Sequence, residues 1–115
     1  NMTSLIPPTS IILKRSSAWL NLDDMLQTIS IIVSGKVQGV YFRHSTREKA
    51  TALGITGFVK NLPDRSVYII ATGVKEQLDD LAAWCRLGPP KAEVSDVQVQ
   101  PETLQPFDRF TIWRS

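Results

Sequence analysis

The sequence predicts an α+β sandwich of the split βαβ kind. One mainly antiparallel sheet carries two helices on one face, in the order βαββαβ plus a short closing strand. Three observations lead there. Runs of β-forming residues alternate with two segments of helical apolar spacing. The second and third strands are joined by a turn short enough to make them a hairpin. A helix links the first strand to the second, so those two run parallel, with the third inserted between them.

Composition sets the outer bounds. A chain of 115 residues makes one domain with a self-sufficient core. Apolar content of 43% and charged content of 21% are ordinary for a globular protein. No apolar run approaches the length of a membrane span. Cys85 is the only cysteine and His44 the only histidine. An intrachain disulfide and a cysteine-based zinc site are therefore excluded, and a transition-metal centre is not expected. Chemistry must come from carboxylates, amides, hydroxyls, Arg, Lys or main chain. The net charge of +2 is too mild to imply nucleic acid by itself.

Residues 1–26 differ from the rest. Asn1 precedes Met2, which reads as an added or upstream residue, with Met25 as an alternative start. Pro7-Pro8, several Ser/Thr and Lys14-Arg15 mark an extension. Ile11-Ile12-Leu13 is short and precedes the charge, the reverse of a secretory signal. A short helical turn is expected near Ser17–Met25, and the apolar tail is expected to dock on a sheet edge or a neighbouring molecule. The folded unit is expected to be 27–115.

Within that unit Gln27–Val33 is strand one, bounded by Ser34-Gly35. Phe42, Thr46, Ala50 and Leu53 recur at helical spacing, and Gly54 is a natural stop. Ile55–Leu62 is strand two, with Gly57, Val59 and Asn61 on one face and Phe58 and Lys60 on the other. Pro63-Asp64-Arg65-Ser66 is a turn, and Val67–Thr72 is strand three. Val74 to Leu87 is the second helix, with Leu78, Leu81, Ala82 and Cys85 inward, Trp84 beside them, and Gly88-Pro89-Pro90 as terminator. Val94–Val99 alternates as strand four, Val94 opposite in facing to Val97 and Val99. Phe107–Trp113 closes the sheet.

The stretch that invites chemistry is Gly35-Lys36-Val37-Gln38-Gly39-Val40-Tyr41-Phe42-Arg43. A Gly-punctuated strand-to-helix turn gathers main-chain N–H groups around a concavity and aims a helix dipole at it. Arg43 adds a planar fork suited to two anionic oxygens. Spacing alone leaves two readings open: an oxyanion cradle, or a tight turn with two glycines and a surface Arg. The topology brings Asn61, at the end of strand two, to the same edge of the sheet as this turn.

These residues resemble the acylphosphatase family. The nine-residue stretch is similar to its first signature, Gly-x-Val-Gln-Gly-Val-x-(Phe/Tyr)-Arg. Gly57-Phe58-Val59-Lys60-Asn61 is similar to the start of its second, and Gly88-Pro89-Pro90-x-Ala92-x-Val94 to a further recurrent segment. The similarity runs from about Thr28 to Arg114. It implies a ferredoxin-like fold and hydrolysis of acyl phosphates to carboxylate and phosphate, without metal or cofactor. It implies that Arg43, with the main chain of Gln38, Gly39, Val40, Tyr41 and Phe42, binds the phosphoryl group, and that Asn61 positions water. A monomer in the cytoplasm acting on a small molecule is expected, with no nucleic-acid or membrane partner.

One departure stands out. The second signature usually continues to a glycine where this chain has Arg65. Either Arg65 takes the left-handed conformation, at a cost of roughly 1 kcal/mol, or the turn has another shape. Lys36, Arg47, Lys60 and Arg65 are candidates for a positive rim, with solvated surface charge as the alternative. His44 is expected to turn about 100° away from the cradle. Cys85 reads as a small core residue. Two other functions fit the fold: a nucleic-acid-binding module, and a non-catalytic acylphosphatase-like module such as those at the front of larger hydrogenase-maturation proteins. Strands two and three offer only Phe58 and Tyr68 for base stacking, and the aromatic RNA-binding signature is absent.

Overall fold

The structure, a computed structural model, describes residues 25–114. The helical turn expected near Ser17–Met25 and the docking of the tail fall outside the described residues, apart from the exposed Met25 and Leu26. The elements are β1 (Gln27–Lys36), α1 (Phe42–Leu53), β2 (Thr56–Asn61), β3 (Val67–Gly73), α2 (Lys75–Leu87), β4 (Glu93–Glu102) and β5 (Phe110–Trp113). The sheet order is β4-β1-β3-β2-β5. All neighbours are antiparallel except β2 and β5, which run parallel. This is the ferredoxin-like split βαβ arrangement.

Strand alternation divides the sheet into two faces. On one, Ile31 and Val33 of β1, Val59 of β2 and Val67, Ile69 and Ala71 of β3 join Phe42 and Ala50 of α1 and Leu78, Leu81 and Cys85 of α2 in one core. Both helices thus cover the same face. Thr46 in α1 is fully buried, and its hydroxyl donates to the Phe42 carbonyl at 2.7 Å, so the polar group is satisfied inside the helix. Ala82 and Trp84 flank the α2 stripe, the latter with its ring centroid 5.4 Å from that of Phe42.

The second face is covered by the β4–β5 connection, which crosses from one edge of the sheet to the other. Thr28 and Thr72 face each other with their hydroxyl oxygens 2.6 Å apart. The Gln105 N–H donates to the Thr28 hydroxyl, and the Thr72 hydroxyl donates to the Gln105 carbonyl at 2.7 Å. Phe107 then meets Phe58 edge-on at 6.0 Å, while Trp113 stacks on Phe58 at 3.8 Å. Phe58 is buried beneath these rings, so the aromatic that a base-stacking surface would need is already occupied.

Two expectations need correction. The closing strand begins at Phe110, because Phe107 serves the crossing loop. In β4, Val94 and Val97 both pack against the core, although simple alternation would put them on opposite faces. The register shifts between Ser34 and Gly35: Ser34 pairs with Asp96, but Gly35 pairs with Val94, leaving Ser95 as the extra residue of a bulge. Gly35 is required there, since a Cβ would stand 2.2 Å from the Glu93 carbonyl oxygen.

Candidate active site

β1 and β2 both end at the edge of the sheet where α1 begins, and a cavity of about 580 Å³ opens there. It is lined by Gln38, Gly39, Tyr41, Phe42 and Arg43 from the β1–α1 turn and start of α1 and by Asn61 from the end of β2, with Ile112 of β5 and Arg114 just beyond that strand. The turn and the carboxamide, read from separate segments of the chain, therefore share one hollow.

The turn owes its shape to alternating backbone hand. Gly39 (φ 75°) and Tyr41 (φ 64°) are left-handed on either side of Val40. Such alternation curls N–H groups toward one concavity. Val40 points its side chain into the core, 6% exposed, while Tyr41 stands 79% exposed. Tyr41 is the N-cap of α1 and supplies no side-chain cap, and the first turn of α1 holds no acidic residue. The leading N–H groups of the helix thus receive no carboxylate from their own turn, and the dipole favours an anion there.

Side chains lock the turn in place. The Gln38 carboxamide donates from Nε2 to the Leu62 carbonyl at 3.0 Å and to the Ser66 carbonyl at 2.9 Å. These two residues frame the β2–β3 turn, so the cradle is tied to the hairpin that ends the Asn61 strand. Arg43 Nη1 lies 3.5 Å from the Trp113 carbonyl, a long and weak contact that leaves the guanidinium available to an anion. Asn61 is half-buried, with its side-chain oxygen shielded from solvent.

The hairpin resolves the question raised by Arg65. The Arg65 N–H donates to the Leu62 carbonyl at 3.1 Å, and the Leu62 N–H to the Ser66 carbonyl at 2.9 Å. Arg65 has φ 76°, so of the two alternatives it takes the left-handed conformation. The N–H and hydroxyl of Ser66 both donate to Asp64 Oδ1, and these bonds hold the Asp64 carboxyl below its ordinary value.

The expected positive rim is redrawn. Of Lys36, Arg47, Lys60 and Arg65, only Arg47 lines the cavity. Lys60 lies on the other sheet face, its ammonium 5.7 Å from the centre of the Tyr68 ring and 5.8 Å from that of Trp113. His44 does line the cavity, contrary to expectation, with Nε2 3.5 Å from a Glu48 carboxylate oxygen. Arg114 was not legible as a site residue, because nothing in the sequence announced that β5 lies parallel beside β2 and delivers its end to the mouth. Among the described residues, no cluster of three or more His, Cys, Asp or Glu could hold a metal ion.

A ferredoxin-like sandwich with a glycine-punctuated turn and a carboxamide lining one hollow defines the class of fold and site. Residues 29–112 match the family model described as Acylphosphatase, and the chain belongs to that family. An acylphosphatase from Acaryochloris marina is 50% identical over 86 residues, covering 75% of this chain and 92% of the relative. The structure of an acylphosphatase from Coxiella burnetii matches with a TM-score of 0.75 at 40% identity, covering 76% of this chain and 93% of the other. That of an acylphosphatase from Bacillus subtilis gives 0.74 at 36% identity, covering 77% and 99%.

Proposed function

We propose that this chain hydrolyses acyl phosphates to a carboxylate and inorganic phosphate, with Arg43 and the main chain of Gln38–Arg43 as the phosphoryl site and Asn61 as the residue that orients water. The observation that supports this reading is the shared cavity: the turn, Arg43 and Asn61 all line it. Family membership supports the reaction itself.

An acyl phosphate is a mixed anhydride with a good leaving group. Its hydrolysis needs no powerful base; it needs a held dianion, neutralised phosphoryl oxygens and a water in line. The Arg43 guanidinium and the inward N–H groups supply donors to those oxygens. The Asn61 carboxamide both donates and accepts, so it can fix a water by two bonds. Water oxygen bonds to phosphorus, the bond from phosphorus to the carboxyl oxygen breaks, and the water proton passes to a phosphoryl oxygen of the substrate. No step calls on a metal or an organic cofactor.

The finer assignments belong to the same proposal. The catalytic unit is 27–115, preceded by an extension over 1–26. It acts as a cytoplasmic monomer on a small molecule, with neither nucleic acid nor membrane as partner. Among the described residues, no helix is long and apolar enough to cross a membrane.

Steady-state hydrolysis of benzoyl phosphate in excess chelator tests the reading. Wild type should turn over, and Arg43→Ala should lose about 10²-fold or more in kcat/KM, the scale of losing one key oxyanion donor. The same variant should lose inhibition by inorganic phosphate. Retained phosphate inhibition in Arg43→Ala would place the anion elsewhere.

A further inference from the structure

The cavity holds more positive charge than a phosphoryl group requires. Besides Arg43 it is lined by the guanidinium-bearing Arg47 and Arg114, and by no Asp or Glu. His44 is engaged with Glu48 at 3.5 Å. Arg47 and Arg114 are not: among the described residues neither forms an ion pair. Arg47 stands one helical turn beyond Arg43 on the same side of α1, about 5–6 Å along the axis. Arg114 directly follows Trp113, whose carbonyl Arg43 Nη1 approaches at 3.5 Å. Two guanidiniums from different elements therefore flank the residue proposed to hold the phosphoryl group. Like charges at this helical spacing repel, and an anion between them relieves the repulsion.

The volume points the same way. About 580 Å³ is the size of a site for a complete small molecule, well beyond a phosphoryl group and a methyl. Tyr41 and Ile112 add apolar surface to the same lining as Arg47 and Arg114. A neutral acyl group would place nothing opposite these guanidiniums. A second anion at the far end of a short chain or a single ring would find Arg47 and Arg114 on the lining of the same cavity.

We infer that Arg47 and Arg114 are specificity residues, which hold a second anionic group on the acyl portion and so favour doubly anionic acyl phosphates. The inference rests on the Arg43 and Asn61 reading of the site. Both arginines are exposed, so the preference is modest and sensitive to salt.

The test compares 4-carboxybenzoyl phosphate with its neutral near-isostere, 4-carbamoylbenzoyl phosphate. At low ionic strength wild type should favour the carboxylate by about fivefold in kcat/KM, the scale of one or two exposed ion pairs. The ratio should approach one in Arg47→Gln/Arg114→Gln and take an intermediate value in Arg114→Gln alone. It should also shrink as salt is raised. Both compounds share the phosphoryl dianion, so the ratio isolates the second charge from general effects on binding. Equal kcat/KM in wild type, or a ratio unchanged in the double variant, would overturn the inference while leaving the site reading intact. Absence of hydrolysis of either compound would overturn the site reading first.

Discussion

Gln38 and Ser66, on different loops, are joined by a hydrogen bond of 2.9 Å from the Gln38 carboxamide to the Ser66 carbonyl. The same nitrogen reaches the Leu62 carbonyl at 3.0 Å. One side chain thus fastens the β1–α1 turn to the hairpin that follows Asn61. The signature glutamine has a mechanical task, separate from its main-chain N–H.

Removing that fastening should loosen both halves of the site. Gln38→Ala removes one of the two donors from each of these carbonyls, and two bonds at about 0.5–1.5 kcal/mol apiece make a loss of about 1–3 kcal/mol in unfolding free energy. Gln38→Glu should be at least as damaging, since a carboxylate cannot donate to either carbonyl. Denaturant midpoints and kcat/KM for benzoyl phosphate should fall together in both variants. Unchanged stability in both would show that the turn is held by other means.

Arg65 offers the opposite experiment. Its φ of 76° strains a side-chain-bearing residue, and it lies outside the cavity lining. Arg65→Gly removes a left-handed penalty of about 1–2 kcal/mol but raises the entropy of the unfolded chain by about 0.5–1 kcal/mol. A net gain of about 0.5–1 kcal/mol in urea unfolding is expected. A loss of stability would mean that the arginine side chain supports the hairpin in a way its backbone bonds do not reveal.

Cys85 should behave as a core atom. It is fully buried, and burial pushes its thiol up from 9.0 to about 12. Native protein at pH 8 should resist thiol reagents on a timescale set by unfolding, and react at once in denaturant. Because the folded value lies above the unfolded one, the stability tied to the neutral thiol is complete below pH 9.0 and is lost as pH climbs toward about 12. Cys85→Ala should flatten that alkaline decline. Rapid stoichiometric labelling of native protein would contradict the burial.

Much of this architecture was legible from side-chain spacing. Phe42, Thr46 and Ala50 at helical intervals, with Gly54 behind them, gave α1 at the limits the structure shows. The hairpin followed from Pro63-Asp64, and the convergence of Arg43 with Asn61 from one parallel crossover. What escaped was information carried by the main chain. The bulge at Ser95 breaks the two-residue period, so Val94 and Val97 share a face that alternation denies them. Its signal was Gly35 on the facing strand, which reads equally well as a simple strand end. The placement of β5 depends on a loop pinned by Thr28, Thr72 and Gln105, contacts between residues remote in sequence. Without that placement Arg114 has no visible reason to approach Arg43.

The most direct test separates holding the phosphoryl group from activating water. Inorganic phosphate binding to Asn61→Ala, measured by calorimetric titration beside its kcat for benzoyl phosphate, reads the two tasks on one protein. The account predicts phosphate affinity within about threefold of wild type and a kcat lower by about 10²-fold or more. Near-normal kcat in Asn61→Ala, or loss of phosphate binding equal to the loss of turnover, would contradict it.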